Sequence, residues 1–238
     1  MPAELKHHAS GRLSLVAALA AAAGFVDAFV FQNVTPVFVA NMSGNLVRLG
    51  MSAGVRDGRQ AAAALVALVG FSAGVIAGAA RLDTHVRSER LLDSSALLFV
   101  ETGLLTLLAF ILRIANITYS PTTKAADYPV ILIGAAAMGL QAIALRRVGE
   151  VAVSTTYGTG AVVRVSEKTA LAFRKTPRPD EHRRRTSIVV LSVVLMAYVG
   201  GAFAAASTSA NPMLLLIPAA VSLVGAIERR RHHATSVK

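Results

Sequence analysis

Apolar positions along this chain come in long unbroken blocks. They follow neither the stripes of an amphipathic helix nor the alternation of a half-buried strand. Six blocks stand out, at residues 13–31, 60–80, 94–112, 128–145, 186–206 and 211–227. Each holds roughly 17–21 residues, about the length that crosses the hydrocarbon core of a bilayer as a helix. The pattern predicts an all-α polytopic membrane protein with about six transmembrane helices.

Two polar-studded interruptions separate these blocks. In the first, Gln32-Asn33-Val34-Thr35-Pro36 ends a helix, because proline disfavours helix in the residue before it. Val37-Phe38-Val39 favours an extended form. Asn41-Met42-Ser43-Gly44 has turn and cap composition, with Ser43 the candidate N-cap of a short helix from Gly44 to about Ala53. In the second, residues 151–156 favour a strand, Tyr157-Gly158-Thr159-Gly160 turns the chain, and a short helix runs from Gly160 to about Phe173.

The interruptions therefore repeat each other, Ser43-Gly44-Asn45-Leu46-Val47-Arg48 answering to Thr159-Gly160-Ala161-Val162-Val163-Arg164. Phe71-Ser72-Ala73-Gly74 likewise answers to Tyr198-Val199-Gly200-Gly201, and Asp27 to Gln141. Gly70, Gly74 and Gly78, four apart, make a small-residue face suited to close helix packing in lipid. The chain thus divides into a tail (1–12), a first repeat (13–113), a linker (114–127), a second repeat (128–228) and a tail (229–238).

Charge distribution orients the chain. The basic loop 165–185 and the Arg229-Arg230-Arg231 run belong in the cytoplasm, as do Lys6 and Arg12. Lys6 and Arg12 before an Ala-rich run also imitate a signal peptide, but the repeat argues for retention, since the first helix has a counterpart. If each interrupted segment is re-entrant, the chain crosses six times, and Arg81, Arg87, Arg90, Arg146 and Arg147 lie inside. If each crosses, there are eight crossings, and Arg48, Arg56, Arg59, Arg113 and Lys124 lie inside. Charge does not decide between these sets. Polar content favours six, because a short strand plus a short helix suits an in-and-out path better than lipid contact. Six crossings make two inverted three-helix repeats, each with a broken strand and half-helix, as in secondary transporters; eight make parallel repeats.

Composition excludes several function classes. The chain has 238 residues, 54% of them hydrophobic and only 16% charged, which is too little charge for an ordinary soluble domain. The formal net charge of +11 sits in tails and loops, fitting positive-inside sorting and anionic lipid contact rather than nucleic acid. Without cysteine there are no disulfides or thiolate chemistry. The six histidines fall in polar tails or loops without metal-ligand spacing, so no metal, cofactor or enzymatic activity is expected.

Four motifs carry a family resemblance: Gly24-Phe25-Val26-Asp27, Phe38-Val39-Ala40-Asn41-Met42-Ser43-Gly44-Asn45, Met138-Gly139-Leu140-Gln141 and Ser154-Thr155-Thr156-Tyr157-Gly158-Thr159-Gly160. With them, residues 13–228 resemble the YoaK-like family of uncharacterised bacterial inner-membrane proteins. The resemblance implies a multi-pass protein of the bacterial inner membrane. It supplies no substrate and no established site residues.

Candidate chemistry gathers at the breaks. Asp27 and Glu101 are the two acids deep in predicted helices; carboxylates there are costly and by default functional, which makes both candidates for proton coupling. If both segments are re-entrant, two half-helices begin near the bilayer midplane and aim their free N–H groups at its centre, suiting a small anionic or polar solute. Asn41, Ser43, Asn45, Gln141, Thr156, Tyr157 and Thr159 would line that place with Asp27, and Gly44 and Gly160 would admit a close approach. Alternatively, these groups only satisfy the interrupted backbone. Arg48 and Arg164, five residues past each Ser43 or Thr159 position, would assist an anion or snorkel to the interface.

These features point to a small secondary transporter or permease for a small polar or anionic solute. The competing expectation is a non-transporting scaffold or sensor acting through the basic loop. A chain this small for a rocking transporter leaves a homodimer open.

Overall fold

The computed structural model describes residues 3–82, 87–145, 147–148, 151–152, 158–172 and 181–236. Their helices are α1 (Ala3–Asn33), α2 (Met42–Gly54), α3 (Gly58–Leu82), α4 (Arg87–Ile114), α5 (Asp127–Ala144), α6 (Gly158–Ala172), α7 (Glu181–Ala206) and α8 (Leu216–Ser236), with a 3-10 turn at Pro212–Leu215. Among the described residues, six stretches are long and apolar enough to cross a membrane: Leu13–Asn33, Gly58–Leu82, Ser94–Ile114, Asp127–Ala144, Arg184–Ala206 and Pro212–Arg231. They coincide with the six predicted blocks. Large apolar side chains such as Ile76, Val100, Phe110, Met196 and Phe203 are exposed on their outer faces, a surface suited to lipid.

Two buried clusters divide the bundle lengthwise. The upper one joins buried side chains of residues 23–40 with Ala63 and Ala67, with those of 105–112 and 130–138, and with Ala205, Leu215 and Ala219. The lower one joins Val16, Leu19 and Ala20 with Leu97 and Leu98, with buried side chains of 140–145, and with Val190, Val194 and Ala226. Each long helix thus gives its opposite ends to opposite clusters, so α1, α4 and α7 rise while α3, α5 and α8 descend.

Helix pairing is reciprocal between the halves. The first helix of each half packs on the third-element helix of the other, α1 on α7 and α5 on α3. Helices α4 and α8 pack together antiparallel, with Glu101 reaching Ser222 and a Cβ at Gly225 meeting Leu98. Helix α2 lies on α3, and α6 on α7.

Small residues make these pairings close. A Cβ at Gly24 would collide with the Tyr198 carbonyl oxygen, and one at Gly201 with the Ala21 carbonyl oxygen. In the other pair, Gly139 meets the Phe71 carbonyl and Gly74 the Ala136 carbonyl. The expected face of Gly70, Gly74 and Gly78 is buried against α5. With no hydrophobic drive between helices in lipid, such backbone approach is the main source of association.

These reciprocal contacts also correct the internal alignment. They match Phe71 with Tyr198 and Gly74 with Gly201, as the sequence suggested, but they match Gly24 with Gly139 and Ala21 with Ala136. Counted from those glycines, Asp27 corresponds to Ala142, and Gln141 to Val26. The sequence match of Asp27 with Gln141 was one residue out of register.

The breaks differ from expectation in detail. Residues 37–39 form no strand; among the described residues, extended chain pairs only between β1 (Arg147–Val148) and β2 (Val151–Ala152), in antiparallel register. Side chains take the place of a partner strand after α1, as described below. Helix α2 starts at Met42, and its cap is Asn41 rather than Ser43, with Asn41 Oδ1 accepting from the Gly44 N–H at 3.2 Å.

Candidate functional site

Asp27 organises the first break. It lies in α1, 2% exposed, about two turns before the helix ends at Asn33. Its Oδ1 accepts the N–H groups of Val39 at 2.7 Å and Ala40 at 2.8 Å, and its Oδ2 accepts the Tyr198 hydroxyl from α7. Backbone N–H groups in an apolar interior must find acceptors. Here a carboxylate supplies one, and the chain after Pro36 folds back to the level of Asp27 to reach it. Val39 packs there under Gly134 of α5.

Asn45 fastens the same segment from the other side. It is fully buried, its Oδ1 accepts the Phe38 N–H at 3.1 Å, and its Nδ2 donates to the Phe38 carbonyl at 2.6 Å. One side-chain amide thereby satisfies both backbone groups of Phe38, as a neighbouring strand would. Gly44 makes room for the Phe38 ring, which a Cβ would meet at 2.8 Å. That ring stacks on Phe31 at 4.5 Å, and the Arg48 guanidinium lies 5.8 Å from the Phe31 centroid, within cation–π range. Arg48 Nε is buried and has no hydrogen-bond partner among the described residues.

The structure thus brings Asp27, Asn41, Ser43, Gly44, Asn45 and Arg48 to one place. Asp27 and Asn45 are engaged there by the broken backbone. Asn41 and Ser43 lie at the mouth of α2, where the exposed Ser43 donates its hydroxyl to Asn41 Oδ1 at 2.8 Å. Gln141 is elsewhere, in the bundle interior, donating to the Leu19 carbonyl at 3.1 Å while its Oε1 has no partner among the described residues. In the second half, Thr156 and Tyr157 lie outside the described residues. Thr159 and Gly160 stand in the first turn of α6, and Arg164 is exposed farther along it.

Glu101 forms a separate polar spot between α4 and α8. It is 0% exposed; its Oε1 accepts the Ser222 hydroxyl at 2.8 Å, and its Oε2 has no partner among the described residues. The Ser222 hydroxyl also lies 3.2 Å from the Pro218 carbonyl of its own helix.

A polar cap closes the upper end. The linker between α4 and α5 runs over the first break, where the Ser120 N–H donates to the Val34 carbonyl at 2.9 Å. Buried Thr35 and Thr123 share a hydroxyl hydrogen bond of 3.0 Å. Gln60 of α3 accepts from Thr123 at 3.3 Å and donates to the Pro121 carbonyl at 2.6 Å.

Sequence reasoning missed Tyr198, Ser222 and this cap. Tyr198 and Ser222 were legible only as lone hydroxyls inside apolar blocks. Nothing in the sequence pointed Thr123 at Thr35.

The sequence matches the family described as Protein of unknown function (DUF1275) over residues 15–227. The chain belongs to this family. It is also 31% identical to the UPF0700 transmembrane protein YoaK of Bacillus subtilis (strain 168) over 159 residues, covering 67% of this chain and 68% of that protein. No solved structure matches the chain. Family membership, the transmembrane relative and six apolar helices together make it a multi-pass membrane protein.

Proposed function

We propose that the chain is a small secondary transporter or permease for a small polar or anionic solute, built from two inverted three-helix repeats. Each repeat carries a re-entrant segment ending in a half-helix. The observation that carries this reading is the return of the chain after α1 to the level of Asp27, so that α2 starts at depth rather than at the surface. At about 1.5 Å per residue, the 13 residues of α2 are enough to regain the upper end, where α3 begins.

The packing supports inversion. The matching helices α4 and α8 run antiparallel across the centre, and the other matching pairs point in opposite directions. A repeat related by an axis along the membrane normal would keep them parallel. Paired interrupted helices in inverted halves mark the binding site in secondary transporters. By that symmetry, α2 and α6 aim their N-terminal N–H groups towards a shared central place, with Asn41, Ser43 and Arg48 on one side and Thr159 and Gly160 on the other.

We place the lower end in the cytoplasm of a bacterial inner membrane. Arg81, Arg184, Arg185 and the run of Arg229, Arg230 and Arg231 belong to that end, together with the basic loop 165–185. Both termini then lie inside.

Uptake by the purified protein in liposomes tests the reading. The expected result is saturable flux of at least one member of a panel of small anions and polar metabolites, weakened by Asn41→Ala and Arg48→Ala. A protein that is folded but moves no member of the panel overturns it.

A further inference from the structure

We propose that Glu101 is the proton-binding carboxyl of this protein, taking and releasing a proton at Oε2, while Asp27 is a fixed carboxylate that holds the fold. The proposal deepens the transporter reading by naming the coupling ion and its carrier, and it rests on that reading only for the use made of the proton.

The two buried acids differ in what surrounds them. Asp27 receives three donors, two from backbone and one from Tyr198. Protonation at Oδ2 would set a hydroxyl against the Tyr198 hydroxyl, which would have to turn and accept, while both backbone N–H groups stayed on Oδ1. A change of charge at Asp27 therefore needs its bond with Tyr198 to reverse and weakens two charge-assisted backbone hydrogen bonds. Glu101 receives one donor, Ser222, on Oε1. Its Oε2 is buried and bare among the described residues, on the stretch of α4 that also carries the buried Leu97, Leu98 and Leu105. Such an oxygen can gain or lose a proton without breaking any existing hydrogen bond.

Among the described residues, nothing near Glu101 offers a fixed counter-charge. The ionisable groups with described side chains on the helices around it stand near helix ends: Arg59 and Arg81 on α3, Arg113 on α4 itself, Asp127 and Tyr128 on α5, and Glu228, Arg229, Arg230 and Arg231 on α8; Arg87, Glu89, Arg90 and Asp93 fall in the first two turns of α4, and His232 and His233 in the last turns of α8. Asp27 on α1 is already bound to Tyr198. The group that faces Glu101 is the Ser222 hydroxyl, which can donate to the carboxylate or turn to the Pro218 carbonyl when Glu101 is protonated. The residue therefore has a neutral partner able to serve both of its forms. It also sits where the two matching helices cross, the contact that must shift if one half moves against the other.

The test uses the full-length protein in phosphatidylcholine liposomes. Dicyclohexylcarbodiimide, which reacts with protonated carboxyls in apolar surroundings, is applied across a pH series, and the adducts are located by mass spectrometry. An infrared titration follows the C=O band of the protonated carboxyl in the same samples. The expected result is a Glu101 adduct that grows as pH falls, an unmodified Asp27, and a carboxyl band that vanishes in Glu101→Gln and shifts in Ser222→Ala. Absence of both adduct and band at every pH, or their appearance at Asp27 instead, overturns the proposal. If a solute is found, Glu101→Gln should abolish its response to an imposed pH gradient while keeping exchange without a gradient. A gradient response unchanged in Glu101→Gln overturns the coupling role. A protein that carries the Glu101 label and band but moves no solute fails the transporter reading alone.

Discussion

Tyr198 of α7 donates its hydroxyl hydrogen to Asp27 of α1 beside a close approach of those two helices, where Gly24 lies on the Tyr198 carbonyl. In the reciprocal pair of α3 with α5 the matching positions are Phe71 and Ala142, so hydroxyl and carboxylate are absent together. The polar pair belongs to the first break alone. Its acceptor holds Val39 and Ala40, and its donor holds the acceptor.

This pairing predicts a coupled response to substitution. Asp27→Ala leaves two backbone N–H groups and the Tyr198 hydroxyl without their acceptor, and should cost about 3 kcal/mol or more, at about 1–3 kcal/mol per stranded group. Tyr198→Phe should cost about 1–3 kcal/mol. The double variant, which copies the Phe71 and Ala142 arrangement, should be more stable than the sum of the single losses predicts, with a coupling of about 0.5–3 kcal/mol. Asp27→Asn should lie within about 1.5 kcal/mol of the parent, since its Oδ1 keeps both backbone donors and its amide can donate to the tyrosine oxygen. Reversible unfolding in detergent measures the cycle. Additive single losses would show that the two residues do not act as a unit.

The glycine contacts predict paired sensitivity across the halves. Gly24→Ala and Gly201→Ala drive a methyl group into a backbone carbonyl on the partner helix, as do Gly139→Ala and Gly74→Ala. Each should destabilise by about 1–3 kcal/mol, the usual range for overpacking. Gly200→Ala, beside one of them but with open space around it, should change stability little. Thermal unfolding of the five variants reads the contrast. A Gly200 variant as damaged as its neighbour would assign the effect to helix propensity or lipid contact instead.

Sidedness follows from helix direction. Positions 56 and 124 share the upper end with the turn at 208, while 81 and 230 lie at the lower end. The parent has no cysteine, so single Cys replacements report cleanly. With an impermeant thiol reagent on intact spheroplasts, Arg56→Cys, Lys124→Cys and Thr208→Cys should label, and Arg81→Cys and Arg230→Cys only after lysis. Labelling of position 81 before lysis, with 56 and 124 labelled only after it, would remove the six-crossing arrangement in favour of eight.

The apolar blocks made the long helices legible, because a bilayer span leaves little choice of secondary structure. Pro36 and the residues of Asn41 to Gly44 marked the break for the same local reasons. Asn45 was less legible. Its composition suggested a solute-facing amide, and only the fold shows that its amide is taken by Phe38. The match of Asp27 to Gln141 failed by one residue, since apolar helix sequences align almost equally well in adjacent registers and the glycine contacts that fix the register cross between helices. Tyr198 and Ser222 stayed hidden for a related reason. Their roles depend on partners 171 and 121 residues away, and no local pattern records such a pairing.

The upper cap offers the most direct test of movement. Thr35 lies in the first break and Thr123 in the linker between the halves, and their hydroxyl oxygens are 3.0 Å apart. Cysteine sulfurs taking the places of these hydroxyl oxygens would need only a small side-chain rotation to reach the bonding distance of about 2 Å. If opening the upper side lifts the linker off the first break, this contact must part. A Thr35→Cys/Thr123→Cys variant should therefore oxidise readily to an intramolecular disulfide. Liposome flux should fall at least tenfold on oxidation and return on reduction, while each single variant remains active under both conditions. Gel mobility after proteolysis between α1 and α4 reports the bond independently of flux. A fully cross-linked protein that transports as fast as the reduced one would show that this cap stays closed throughout the cycle and that the upper opening lies elsewhere.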